Sequence, residues 1–449
     1  MRSAKLTIAK YGLLLFVVNC LQSTAYAQEN SPYSRYGMGD VVPNHNIFSR
    51  GMGGVAAGVQ DYNGLFQSLN FTNPASLGKV SVTIFDVSAE ADSRTLKTTN
   101  PPGKYTQTNS LFSSLQMAFP LTTKKMAKKG NAWALSFGLR PVTRIGYKLE
   151  KDERLTNIDS LHTIYEGDGG INQAYVGTGL KIHNFSIGAI AGYMFGNKNY
   201  DTKVIFINDT VEYYKAVYSS KTTFGGVFVN AGVQYNFPLK NGDMICFGLY
   251  GGVQQKLQAT RDVAKETFYY DANGNTYRLD SVYEKNGEKG VIKYPSTVGL
   301  GFTYNGLHWM FGLDVETTNW SNYTNYGETD LVKNNYTVRA GLQYFPLKSG
   351  VSVKKYFNFV KYRMGAYYGT DFVQSTNNHP EYGFSVGAGF PLTSLQRLSY
   401  NYNNEFVTLN TAVEFGSRGN KQSNLRDNTL RFSLGIAMNA RWFLKPKYN

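Results

Sequence analysis

The chain has 449 residues, of which 42% are hydrophobic and 15% aromatic, with 46 glycines and a formal net charge of +15. A basic protein is a candidate for nucleic-acid binding, but the cations lie mostly in predicted turns such as residues 124–129, and no nucleic-acid recognition fold is visible. Anionic lipid head groups or lipopolysaccharide are therefore the expected partners, and nucleic acid is excluded.

Residues 1–27 have the pattern of a cleaved secretory signal peptide. Three cations precede the apolar run Gly12–Val18, and Ala25-Tyr26-Ala27 supplies a small-x-small cleavage site. Removal of this peptide would leave Cys246 as the only cysteine, which excludes an intrachain disulfide. No later stretch reaches the ~18 apolar residues of a membrane helix. We therefore predict export to the outer membrane of a Gram-negative cell.

Residues 28–78 are rich in glycine and contain aromatic residues without strict alternation. This composition favours compact packing over a disordered tail. We predict a hatch, or plug, inside the lumen of the barrel that follows. Four apolar side chains of this segment either line a pocket for an apolar ligand or pack the hatch against the wall: Phe48, Leu65, Phe66 and Phe71.

Residues 79–449 repeat about ten alternating apolar and small or polar residues followed by a turn. Trp133, Leu135, Phe137 and Leu139 alternate with smaller or polar residues, which places the two sets on opposite faces of a strand. No helical pattern offers a second layer for the apolar face, so we expect lipid to cover it.

About fourteen strands are predicted, an even number as in bacterial barrels. In chain order they are 80–92, 110–119, 131–147, 173–182, 185–195, 224–237, 244–257, 296–304, 308–316, 336–345, 360–370, 382–390, 408–415 and 430–439. The fold class is all-β, a transmembrane antiparallel barrel whose lumen needs a plug. The polar stretches Glu150–Gly170 and Arg261–Lys289 are predicted as long loops outside the cell.

Several motifs, in this order along a barrel-patterned chain, resemble the FadL-type family of long-chain fatty-acid and aromatic-hydrocarbon transporters. The resemblance extends over the whole mature chain, and the ending resembles members from Bacteroidetes-type bacteria. The motifs are Arg50–Ala56, Asn73-Pro74-Ala75, Tyr294-Pro295, Asp314 with Trp320-Ser321, Arg339–Pro346 and Arg441-Trp442-Phe443.

This resemblance implies a fourteen-stranded barrel with an N-terminal hatch that takes up hydrophobic molecules and releases them sideways through the wall. Asn73, Pro74 and Ala75 would form the hatch motif, which we interpret as a structural turn. Pro141 interrupts the third strand pattern, where proline removes a ladder hydrogen bond. It marks, with Arg144, either a lateral gate or the point where the strand leaves the membrane.

Signals of catalysis are weak. Gly383-Phe384-Ser385-Val386-Gly387 matches a hydrolase string, but Ser385 lies within a predicted strand and lacks the sharp strand-to-helix turn that this chemistry needs. The five histidines are scattered, so no metal or cofactor is expected. We predict a non-enzyme, and we assign Trp320, Trp442 and Phe443 to interfacial aromatic girdles.

Two functions fit this sequence. The first, which is the leading prediction, is passive uptake of hydrophobic small molecules, fatty-acid-like or aromatic, gated by the hatch and driven by about 0.8 kcal/mol per buried CH₂. The second is a structural or adaptor barrel within a larger outer-membrane protein assembly or secretion system, which the polar outer segments favour because they suit protein contacts.

Overall fold

The structure, a computed structural model, describes residues 31–60, 67–100, 102–155, 160–207, 213–271, 276–347, 355–374, 379–393, 406–419 and 425–440. Antiparallel strands dominate these residues. The strands are β1 Asp40–Val41, β2 Thr83–Thr99, β3 Pro102–Pro120, β4 Ala132–Arg154, β5 Ser160–Ile182, β6 Phe185–Ile207, β7 Lys215–Pro238, β8 Met244–Gly252, β9 Gln255–Tyr270, β10 Thr276–Tyr294, β11 Thr297–Asn305, β12 Trp309–Thr318, β13 Thr324–Asn325, β14 Asn335–Tyr344, β15 Lys361–Thr370, β16 Pro380–Pro391, β17 Phe406–Arg418 and β18 Leu425–Ala440.

The described helices are short. Two are α-helical, α1 Ile47–Arg50 and α2 Lys124–Lys128, and four are 3₁₀ turns at Pro32–Arg35, Pro74–Lys79, Trp320–Asn322 and Tyr356–Phe359. Among the described residues, none of these helices is long and apolar enough to cross a membrane.

The strands form one closed barrel. The strands pair in succession around the ring, and β18 returns to β2 with a register from Leu425↔Thr98 to Ala440↔Thr83. The ring has fourteen strands. β8 and β9 are two parts of one broken strand, as are β10 and β11, and the two-residue strands β1 and β13 are additions to the ring. Closure satisfies the backbone groups that a sheet edge would leave in lipid. The predicted all-β fold, an antiparallel barrel of fourteen strands, is confirmed.

Alternation along the strands sorts side chains by chemistry. On β4, Trp133 and Phe137 are exposed on the outer surface, whereas Ala134 and Ser136 between them are buried on the lumen side. The outer surface of β18 likewise carries Phe432 and Leu434. This apolar outer band around a closed ring of strands is the surface of an outer-membrane protein.

The barrel wall is much taller on one side. Strands β4 to β7 have 23 or 24 residues each, whereas β12, β14 and β15 have ten. The predicted loops Glu150–Gly170 and Arg261–Lys289 are therefore wrong as loops, because paired strands continue through most of both stretches. Paired strands beyond the lipid band need no apolar face, so their polarity resembles that of loops.

The apolar outer band predicts that a charged side chain on the outer face destabilises the barrel within the band but not above it. Val229 is 45% exposed in the apolar band of β7, and Ser219 lies on the same outer face ten residues nearer the tall end. Val229→Arg should lower the free energy of unfolding by about 2–4 kcal/mol, since a cation at the bilayer midplane is poorly solvated. Ser219→Arg should leave it nearly unchanged. Urea unfolding in lipid vesicles measures both, and equal effects would contradict a lipid-facing band.

Candidate functional site

The N-terminal segment, residues 31–60 and 67–79, contacts strands all around the ring. Backbone amides of Ala56 and Ala57 donate to Asp314 of β12 at 2.6 and 2.7 Å. The amide of Gly53 donates to Ser385 Oγ of β16 at 2.9 Å, and Gln234 of β7 donates to Ala57 O at 2.8 Å. The segment therefore contacts strands on opposite sides of the ring.

Two charged residues of this segment are paired with the wall. Buried Arg50 binds Glu90 of β2 and donates from Nε to Glu414 Oε2 of β17 at 2.7 Å. Asp40 accepts from Arg94 of β2 at 2.7 Å. It also accepts from Arg418 of β17 at 2.9 Å. Removing one partner of a buried pair leaves an uncompensated charge, so these contacts hold the segment in one position.

Local sequence explains how Arg50 reaches its partners. Asn46 caps α1 by accepting from the amide of Ser49 at 3.2 Å, which starts the turn that ends at Arg50. Gly53 follows with a φ of +70°, and a Cβ there would lie 2.7 Å from the backbone of Ala366. Only glycine fits this approach to the wall.

The Asn73-Pro74-Ala75 motif lies where the segment meets β6 and β7. Asn73 accepts from the amide of Ala75 at 3.1 Å and donates to Ala57 O at 2.7 Å. A Cβ at Gly232 of β7 would lie 2.1 Å from Asn73 Oδ1. The motif therefore starts the 3₁₀ turn and ties it to the wall.

The cavity in the lumen has both charged and apolar side chains in its lining. A cavity of about 290 Å³ lies between the N-terminal segment and the wall. Ligand pockets for apolar molecules are usually about 300–1,000 Å³ and mostly apolar. Apolar side chains such as Met194, Trp320 and Phe372 line part of this cavity. The rest of its lining includes six arginines and five carboxylates: Arg50, Arg94, Arg140, Arg339, Arg418, Arg431, Asp40, Glu316, Glu381, Glu414 and Asp427.

His45 lies at the edge of the same cavity. Burial, together with the positive charge of Arg339, lowers the pKa of its imidazole to about 3. The side chain is therefore neutral at physiological pH and adds no further positive charge beside the arginines.

The predicted apolar ligand residues do not meet in one pocket. Phe48 packs with Met52 and Val55 beneath the guanidinium of Arg363, 5.6 Å from the ring. Phe71 belongs to a different cluster, and the guanidinium of Arg140 lies 4.8 Å from its ring. Neither lines the lumen cavity. Leu65 and Phe66 lie outside the described residues.

The wall has a seam between β3 and β4. Their ladder extends from Leu115↔Leu139 to Pro120↔Ala134, although both strands continue far beyond it. Both sides of the seam carry a bulge where the ladder ends, at Ser113 in β3 and Val142 in β4. Bulges typically terminate pairing in this way.

The N-terminal segment occupies part of this seam. Strand β1 pairs with β4 through Asp40↔Arg144 and Val41↔Thr143, and Val41 is 45% exposed. Pro141 lies two residues beyond the last β3–β4 pair. Arg144 joins the two sides, donating from Nη1 to Glu90 Oε1 and from Nη2 to Phe112 O, each at 2.7 Å.

Sequence reasoning missed the charged residues that matter most here. Glu90, Asp92 and Arg94 alternate along β2, and all three are buried on the lumen side. Charges spaced by two residues within a strand were a usable signal, because this spacing places them on one face. Glu414 and Arg418 lie four residues apart on β17, and they bind the same two residues of the segment, Arg50 and Asp40, as Glu90 and Arg94 do.

The contacts of Ser385 do not support a catalytic role. Ser385 accepts a hydrogen bond from Gly53 within a strand, which is a structural anchor. Within the described ranges, no group of three or more His, Cys, Asp or Glu side chains could hold a metal ion.

The sequence model of the BamG family matches residues 8–449. The chain belongs to the BamG family. This label differs from the FadL-type family that the motifs resemble, whereas membership of a Bacteroidetes-type group stays a prediction. A search of curated proteins finds no match.

Solved structures share the BamG-family chain's fold at low identity. The Pseudomonas putida toluene transporter TodX is 12% identical, with a TM-score of 0.54 over 89% of this chain and 99% of that one. The Ralstonia pickettii toluene transporter TbuX is 11% identical, with a TM-score of 0.52 over 88% and 98%. A Pseudomonas aeruginosa FadL homologue is 12% identical, with a TM-score of 0.51 over 90% and 98%. The FadL-type resemblance thus holds for the fold.

The buried pairs predict a large effect at Arg50. Arg50→Met leaves Glu414 buried beside an apolar side chain, and we expect a loss of roughly 3–5 kcal/mol in the free energy of unfolding. Lys285→Met removes an exposed pair with Glu288 at 2.7 Å and should leave stability unchanged. Urea unfolding followed by gel mobility compares the two. A small effect at Arg50 would show that the segment is not held by these contacts.

Proposed function

We propose that this protein is a non-catalytic outer-membrane barrel that serves as a structural or adaptor component of a larger protein assembly. The observation that carries the proposal is the ion-paired N-terminal segment. Arg50 and Asp40 each bind two wall residues, and the cavity left beside them is lined partly by charged side chains. An apolar molecule passing through it would have to displace water from guanidinium and carboxylate groups, which is unfavourable.

The adaptor function thereby replaces hydrophobic uptake, which was the leading prediction from the sequence alone. Hydrophobic uptake requires an apolar site and a movable hatch, whereas the segment makes buried contacts with β2, β12, β16 and β17. A barrel that is rigid and filled suits a role in holding other proteins. Membership of a family with its own label supports a function distinct from that of the hydrocarbon channels.

A disulfide between the segment and the wall distinguishes the two functions, because uptake requires the segment to move and the adaptor function does not. Val41 and Thr143 face each other in the β1–β4 ladder, at a spacing that a disulfide spans. In Val41→Cys/Thr143→Cys protein purified from native membranes, we expect the same stoichiometric partner proteins in the oxidised and reduced forms. Purification of the wild-type barrel without partners, with saturable binding of toluene or palmitate, would contradict the proposal.

A second candidate is uptake of hydrophobic small molecules with lateral release, and the seam favours it. Beside the seam, on the outer surface of β2 to β6, lies an apolar groove of about 440 Å³ lined by Phe85, Leu115, Phe137, Leu139 and Val176 among others. In this function Pro141 and Arg144 would form the gate, and Phe48, Leu65, Phe66 and Phe71 would contact the ligand once the segment moved.

Pro141→Val tests the second candidate. Valine restores a backbone donor beyond the last β3–β4 pair, so a gate there should close and uptake of radiolabelled toluene should fall severalfold. Val229→Ala, a conservative change on the lipid face, is the matched control. Unchanged uptake at equal surface expression would argue against a gate at Pro141.

A further inference from the structure

The tall side of the wall has two chemically different faces above the lipid band. On the outer face, Lys203 Nζ binds Glu166 at 2.8 Å, and Arg278 binds Glu266 at 3.0 Å. These are charged pairs of the kind that water and lipid head groups solvate. The opposite face looks over the mouth of the barrel; it carries the Arg261–Glu288 pair and is rich in tyrosine.

Register places this tyrosine-rich set on the mouth side. On β7, Thr222 and Phe224 are buried toward the lumen, and the two-residue period puts Tyr218 on the same face. On β9, Leu257 and Val263 face the lumen, so Lys265 and Tyr269 do too. Their partners on β10 complete the set, which we call the cup face: Tyr218, Lys265, Tyr269, Tyr277 and Tyr283.

The cup face is ordered by its own contacts yet open to solvent. Lys265 Nζ lies 5.8 Å from the ring centre of Tyr218 and 5.7 Å from that of Tyr283. Tyr269 stacks on Tyr277 with ring centres 5.6 Å apart. The four tyrosines are between 42% and 49% exposed. Such fixed rings lose little entropy when a partner covers them.

The positive charge of Lys265 indicates which chemical group of the partner binds there. Among the described residues, the contacts of the Lys265 ammonium are the two tyrosine rings, and none of its partners is a carboxylate. A carboxylate of the partner, placed over Lys265, would bind an ammonium group that two aromatic rings hold in position. This charge-assisted hydrogen bond would be strong once water is excluded. The cup face therefore complements an apolar patch with an acidic centre.

Size and position favour a folded protein over a glycan. The cup face, on β7, β9 and β10, is part of the inner face of strands β4 to β10. That inner face is roughly 29 Å wide and 20 Å tall, or about 600 Å², from six strands at ~4.8 Å spacing and ~3.3 Å per residue. A standard interface buries about 800 Å² per partner. Lipopolysaccharide surrounds the barrel and meets the charged outer face, whereas the cup face is reached from above the mouth.

We propose that the cup face is the docking surface for a folded protein that approaches from outside the cell and inserts aromatic or aliphatic side chains around a carboxylate bound to Lys265. This inference rests on the proposed adaptor function and names the surface that carries it. Tyrosine-rich surfaces with a central charge are typical of protein-interface hot spots.

The first experiment places a photo-crosslinking amino acid at Tyr218, Tyr283 or, as the outer-face control, Lys221, in intact cells. We expect one protein, identified by mass spectrometry, attached from Tyr218 and Tyr283 and absent from Lys221. Adducts with polysaccharide, with a second copy of this chain, or equally from both faces would overturn the docking surface.

The second experiment measures binding of that identified protein, purified, to the purified full-length barrel. Tyr218→Ser/Tyr283→Ser and Lys265→Ala should each weaken binding about tenfold or more. Lys221→Ser should bind like the wild type, and equal gel mobility of all variants checks that the barrels are folded. Unchanged binding by both cup-face variants would overturn this inference alone. A wild-type barrel that has no protein partner in cells would overturn the adaptor function as well.

Discussion

The charges buried inside the lumen need ion-pair or hydrogen-bond partners, and this requirement organises the molecule. Closure of fourteen strands satisfies the backbone in lipid but leaves an interior in which Glu90 and Arg94 are buried and the side chains of Glu414 and Arg418 are 12% and 13% exposed. The N-terminal segment brings Arg50 to the acids and Asp40 to the arginines. Since a lone buried charge is costly, the barrel and the segment stabilise each other, and neither interior surface is complete without the other.

The same constraint connects the two candidate functions. The fold is shared with hydrocarbon channels, and the seam between β3 and β4 lies beside an apolar groove. However, the seam is partly filled by β1, whose Asp40 belongs to the buried ion pairs, and Arg144 joins the seam's two sides. Opening the seam would therefore break charge pairs in the lumen, which favours a fixed barrel that presents surfaces to other proteins.

Much of the barrel was predictable because its signal is local. Alternation around Trp133 and Phe137 fixed strand positions and faces, and Asn73-Pro74-Ala75 identified a turn. The tall strands were missed because residues 150–154 and 261–270 are polar, and polarity was read as a loop. Trp320 was wrongly assigned to an interfacial girdle, since it is 1% exposed and stacks on Phe372 at 4.5 Å. Arg50 and Glu414 are 364 residues apart, so their pairing follows only from ring closure.

The central claim, that the N-terminal segment is fixed across the lumen, is tested most directly by hydrogen exchange. Amides of Ala56 and Ala57 donate to buried Asp314, and that of Gly53 donates to Ser385. In barrels in lipid nanodiscs, followed by mass spectrometry, peptides covering residues 46–59 should exchange as slowly as those of β2 and β17, and adding palmitate or toluene should not change this. Exchange within seconds, or acceleration by either ligand, would show a movable hatch and contradict the account.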